Sequence, residues 1–181
     1  MGLFLARSRE CSKVGVSSFS RKALQSDGFG GFLTFDELRV QIGRVPTGGG
    51  VYIVLRVSGD EVAFLDANPG GRFKGRDPTV AMSVLSDKWI EGCEVVYIGK
   101  ADNIQKRLRQ YADFGAGKPI GHWGGRYIWQ LADSPALLVA WKRCEPDTTA
   151  ATIEARLVAR FKDEHGGRLP FANIADPSAR L

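Results

Sequence analysis

Residues 95–111 read VVYIGKADNIQKRLRQY, and this stretch constrains the fold more than any other. Glu94 to Ile98 is dominated by β-branched and aromatic residues and predicts a strand. Gly99 ends it, and the pattern then changes to helical spacing, with Ile104, Leu108 and Tyr111 on one face. A strand that feeds directly into a helix calls for a sheet with a helix packed on it. The polar side chains of the stretch are harder to account for. Lys100 stands at the mouth of the helix, and Arg107 and Tyr111, four residues apart, share a face. A helix N-terminus with cations beside it is suited to an anionic ligand. The plain alternative is a solvated basic face.

The remaining pattern is that of an α+β domain, a small antiparallel sheet flanked by helices. Residues 1 to about 30 show weak periodicity and read as a loop or a packed arm. Thr34 and Glu37 make a capping-box pattern ahead of Phe35, Leu38 and Ile42, which predicts a helix over 34–42. Pro46 and Gly48-Gly49-Gly50 then break the chain. Val51 to Val57 is apolar and β-branched, so it predicts a strand. The turn Ser58-Gly59-Asp60 returns Glu61 to Leu65 as its hairpin partner. A loop rich in Gly, Pro and cations follows over 67–78, and Asp77-Pro78 marks the start of a helix carrying Met82, Leu85 and Trp89. Asp102 is the expected N-cap of a helix running to about Phe114. A short helix is expected around Trp123 to Leu131, a strand over Ala136 to Trp141, and a last helix capped by Asp147 that stops at Gly166-Gly167.

Composition narrows the function classes. Twenty-five Lys and Arg against twenty Asp and Glu give a net charge of +5, which leans weakly toward a polyanionic partner. The three cysteines, Cys11, Cys93 and Cys144, show no metal-ligand spacing and argue against a disulfide scaffold. The apolar run at the N-terminus is short for a signal peptide, and no stretch has the length of a membrane span. A soluble cytoplasmic protein without a membrane partner is expected.

Other residues stand out beside the central stretch. Tyr52 opens one strand and Tyr97 closes another, so antiparallel pairing brings two phenols to one end of the sheet, although tyrosine is also an ordinary strand residue. Glu154 lies in line with Leu157, Val158 and Phe161 at helical spacing. A carboxylate on a buried stripe needs a cation or a metal as its partner. His122 and His165 have no ligand-like partner in sequence, and both are left outside the expected site.

Gly50-Val51-Tyr52, Tyr97-Ile98-Gly99, Arg107, Glu154 and Asn173 together resemble the GIY-YIG nuclease superfamily. Lys100 after the glycine and Tyr111 in the helix are closest to the catalytic domain of the UvrC type. The resemblance implies an N-terminal extension with a short helix at 1–47 and a nuclease-like domain at 48–175. That domain would carry an insertion at about 58–93, and a tail would occupy 176–181. The implied fold is a three-stranded antiparallel core, here with an extra strand, flanked by helices. The implied activity is hydrolysis of DNA phosphodiesters with one divalent ion, Mg²⁺ or Mn²⁺.

The roles carry over residue by residue. Tyr97 is the expected general base and Tyr52 its companion. Arg107 stabilises the phosphate, Tyr111 supplies an auxiliary hydroxyl, Glu154 is the metal ligand, and Asn173 is the closing polar residue. Gly99 and Lys100 contact the substrate, and Lys100 is also an expected catalytic residue whose charge favours the Tyr97 phenolate. Arg72, Lys74 and Arg76, interleaved with Phe73 in the insertion, are expected to clamp DNA, with a solvated loop as the bland alternative. The chain departs from the family pattern in two ways: the interval between the two tyrosine motifs is long, and no recognisable DNA-reading module accompanies the core. A catalytically silent nucleic-acid-binding or protein-interaction module is the alternative function.

Overall fold

The computed structural model describes residues 17–180. One antiparallel sheet contains β1 (Gly30–Thr34), β2 (Gly50–Leu55), β3 (Val95–Ala101) and β4 (Leu138–Arg143), in the spatial order β1-β4-β2-β3. The helices are α1 (Arg21–Ser26), α2 (Phe35–Val40), α3 (Met82–Lys88), α4 (Ile104–Gly115), α5 (Arg126–Trp129) and α6 (Ala150–Glu164). Among the described residues, no helix is long and apolar enough to cross a membrane.

The continuous apolar run GVYIVL makes β2 the central strand, buried at all six positions, because both faces of the sheet are covered. Tyr52 and Val54 face a core built from α2, α4, α5 and Phe171. Val51, Ile53 and Leu55 face a second core, where α6 supplies Leu157, Val158 and Phe161 and the segment around α1 supplies Phe19 and Leu24. This alternation is the period of two that a strand imposes.

The expected hairpin does not form. β3 pairs with one edge of β2 and β4 with the other, so no edge remains for residues 61–65. Of these, Phe64 makes one isolated bridge to Leu131. The extra strand is β1 instead, which pairs with β4 and joins residues expected to be a separate extension to the same sheet. Its two glycines concealed it. Gly31 lies under the Trp141 ring, where a Cβ would stand 2.4 Å from Cζ3, and the backbone is irregular, with Gly31 at φ 89 and Phe32 at φ 54.

The capping box of α2 forms as expected, with Thr34 and Glu37 bonding reciprocally. Other helix starts shift by a few residues. Asn103 rather than Asp102 caps α4, accepting from the Lys106 N–H, and Thr149 rather than Asp147 caps α6. Asp77 caps no helix. Its carboxylate accepts the Thr79 N–H in a local turn, and α3 begins only after Ala81.

Candidate active site

The register of β2 and β3 sets Tyr52 opposite Gly99 and Val54 opposite Tyr97. Tyr52 and Tyr97 are therefore diagonal neighbours on one face, with ring centroids 5.7 Å apart. Tyr111, directed inward by the apolar stripe of α4, completes a triangle at 6.4 Å from Tyr52 and 6.1 Å from Tyr97. Gly99 lies against both strand tyrosines. A Cβ there would stand 2.6 Å from Tyr97 Cε1 and 2.9 Å from Tyr52 Cζ. Gly99→Ala is expected to destabilise the fold by about 1–3 kcal/mol through overpacking. Urea unfolding would detect this, and an unchanged midpoint would mean that the rings yield freely.

Burial is the first cause that raises the pKa of each of the three phenols, most strongly for Tyr97 and Tyr111. Arg107 opposes it at all three. Arg107 makes no hydrogen bond of good geometry to the Tyr52 hydroxyl. Its influence there is mainly one of charge. Tyr52 and Tyr111 are sealed from solvent, whereas Tyr97 opens into a cleft of about 260 Å³ that it shares with Gly124, Glu154, Asn173 and residues 174–177. Glu154 is half-buried on α6, and its charge disfavours the phenolates of both Tyr52 and Tyr97.

Lys100 is exposed. Strand alternation turns it away from the phenols, and it meets Arg107 along a shallow groove with Lys106 and Gln110. Arg107 thus borders the groove on one side and the phenols on the other.

Asn173 is buried, and both ends of its amide are engaged. Ile98 N–H donates to Oδ1 at 3.0 Å, and Nδ2 donates to Ile98 O at 2.9 Å. Its neighbour Ala172 donates its N–H to Val96 O. The carboxy-terminal segment thereby lies along the outer edge of β3 and grips the residues on both sides of Tyr97. Asn173 is a positioning residue in this arrangement.

The insertion cations do not enter the cleft. Lys74 at φ 53 and Gly75 at φ 73 form the tip of a tight turn closed by a Phe73–Arg76 bridge. The Phe73 ring lies against Gly121, and Arg72 pairs with Asp77 at 2.7 Å. Phe73 is used to dock the turn.

His122 gives no signal in the sequence. It is fully buried and stacks on Tyr111, with centroids 4.2 Å apart and planes 17° apart. A ring supplied by a loop after α4 leaves no periodic trace. Burial first and Arg107 second push its pKa down to about 3, so it stays neutral when folded and protonates near pH 6.5 when unfolded. Stability is therefore complete above about pH 6.5 and declines as pH falls toward 3, because the unfolded chain then binds the extra proton. At pH 5 the loss attributable to His122 is about 2 kcal/mol. Urea unfolding at pH 7 and pH 5 should show that loss in the wild type and not in His122→Phe, which keeps the stacked ring. Equal losses in the two proteins would refute it.

Among the described residues, no group of three or more His, Cys, Asp or Glu side chains converges. Comparison of the chain with family models, with curated proteins and with solved structures finds no match.

Proposed function

We propose that the protein is a metal-dependent endonuclease that hydrolyses DNA phosphodiester bonds by the chemistry of the GIY-YIG nucleases. The observation that carries this reading is the meeting of side chains from four separate elements at one end of the sheet: Tyr52 of β2, Tyr97 of β3, Arg107 of α4 and Glu154 of α6. Phenols, a guanidinium and a carboxylate are costly to bring together in a partly dry site, and phosphodiester hydrolysis uses each of them.

Glu154 offers one carboxylate in an open cleft. This suits a hard divalent ion that keeps water and substrate phosphate as its other ligands. When bound, Mg²⁺ or Mn²⁺ would supply Lewis-acid stabilisation of the phosphate charge. Tyr97, the phenol open to the cleft, first releases its own proton to solvent and then, as the phenolate, takes the proton of the attacking water. Its raised pKa keeps it protonated at rest, so it needs nearby positive charge to act, and Arg107 supplies part of that charge. The planar fork of Arg107 binds the non-bridging oxygens. Tyr52 and Tyr111 hold Tyr97 from beneath and beside, and Asn173 fixes its strand. The setting is cytoplasmic, where Cys93 and Cys144 remain free thiols.

Single-turnover cleavage of plasmid, single-stranded and branched DNA with Mg²⁺ or Mn²⁺ tests the proposal. Arg107→Lys is expected to cut on the order of 100-fold more slowly although its charge is kept. An unchanged rate would make Arg107 a surface cation. No metal-dependent cut by the wild type on any of the three substrates would favour a silent binding module.

A further inference from the structure

The tyrosine cluster occupies only one side of α4. A series of packed groups leads from it across the end of that helix to a basic surface. His122 stacks on Tyr111, and the adjacent Gly121 lies under the Phe73 ring. The Phe73 turn presents Arg72, Lys74 and Arg76 to solvent. At the base of the same turn, Gly71 approaches the Lys118 backbone so closely that a Cβ would stand 1.9 Å from Lys118 O. Lys118 in turn lines a cleft of about 330 Å³ with Arg109 of α4 and Arg39 of α2.

Six cations therefore lie on one continuous strip. Two have carboxylate partners, Lys118 with Asp113 and Arg72 with Asp77. Among the described residues, no ion pair joins Arg39, Lys74, Arg76 or Arg109 to a carboxylate. Two nearby acids are already engaged: Glu37 is spent on the capping box of α2, and Asp113 on Lys118. The turn is also held in shape. Its positive-φ tip and its bridge fix the backbone, and the Lys74 ammonium lies over the Phe73 ring at 5.5 Å while remaining exposed.

We infer that this strip is a docking surface for the phosphate backbone of duplex DNA flanking the cut. It is built by α2 and the 67–78 loop against the C-terminal half of α4. The inference rests on the nuclease reading and adds the path of the substrate to it. The 12 residues of α4 span about 18 Å, enough for several phosphates of a duplex, which carries one charge per about 1.7 Å of its axis. DNA lying on the turn would meet Lys118, Arg109 and Arg39 beyond it, on the side of α4 away from the tyrosine cluster.

Salt dependence of binding separates this from a merely solvated basic face. A short duplex is titrated in chelator, where it stays uncut, between about 50 and 200 mM salt. Replacing Lys74 and Arg76 with Gln, and separately Arg39 and Arg109 with Gln, should each flatten the slope of log K against log salt. The reduction should be about 0.9 for each phosphate no longer neutralised, so the quadruple variant loses about three to four units. All four side chains are exposed, and a urea midpoint equal to wild type checks that folding is intact. Lys22→Gln, on α1, should leave the slope unchanged. A wild-type protein that cuts and binds DNA, with an unchanged slope in the quadruple variant, overturns this inference alone. So does a loss of about 0.9 in the slope for Lys22→Gln, as large per cation as in the quadruple variant. A wild-type protein that neither binds nor cuts duplex DNA overturns the nuclease reading, and this surface falls with it.

Discussion

Glu154→Gln is expected to slow metal-dependent cleavage by about three orders of magnitude while DNA affinity changes little. The substitution keeps the shape of the side chain and removes its charge. Charge stabilisation by a bound ion is worth several kcal/mol, and each 1.36 kcal/mol is tenfold in rate, so losing the ion's anchor has an effect of this size. The direction of the change is informative. The Glu154 carboxylate disfavours the phenolates of Tyr52 and Tyr97. If Glu154 acted only on those neighbours, neutralising it would ease deprotonation of Tyr97 and raise the rate. A large loss therefore points to the metal. Single-turnover rates in Mg²⁺ and Mn²⁺, alongside calorimetric titration of Mn²⁺ into each protein, decide it. A variant that cuts within tenfold of wild type and binds the ion equally well removes Glu154 from the metal site.

Asn173→Ala is expected to produce the largest loss of stability. The side chain is buried, and its amide serves both the N–H and the C=O of Ile98. Alanine leaves one donor and one acceptor without partners at a covered strand edge. At about 1–3 kcal/mol each, the loss is about 2–6 kcal/mol. The midpoint of urea unfolding should fall with little change in slope. Cleavage at a temperature where the variant remains folded should also slow, because the peptide units flanking Tyr97 are no longer held. A variant as stable as wild type would mean that water takes over both bonds.

The central strands and long helices are plain in the sequence because their patterns agree with their surroundings. Val51 to Leu55 is apolar on both faces, and the stripes of α4 and α6 are uninterrupted. The pattern misleads where tertiary pairing decides the outcome. Glu61 to Leu65 has strand composition, but β2 has no edge left for it. Gly30 and Gly31 have poor strand propensity, yet Gly31 is needed because Trp141 occupies the space of its side chain. The candidate site follows a similar division. Tyr52, Tyr97, Arg107 and Glu154 are legible because motif and periodicity place them together. His122 is not, since stacking from a loop has no spacing. The role of Asn173 is legible only as a polar residue near the end of the chain. That it clamps Ile98 depends on the carboxy-terminal segment running along β3.

The two rims of the sheet also bear on how this protein avoids adhering to itself. A bare strand edge is a template on which another chain can build. At β3, Ala172 and Asn173 already occupy the outer hydrogen-bonding positions of Val96 and Ile98. At β1, the bulge between Gly31 and Leu33 and the positive φ of Gly31 and Phe32 spoil the regular ladder. Neither rim offers a straight row of open peptide groups. The vulnerable conformer is one in which residues 170–177 have peeled away, exposing both the cleft beside Tyr97 and a sticky edge. Loss of activity and onset of aggregation should then be two outcomes of the same local opening.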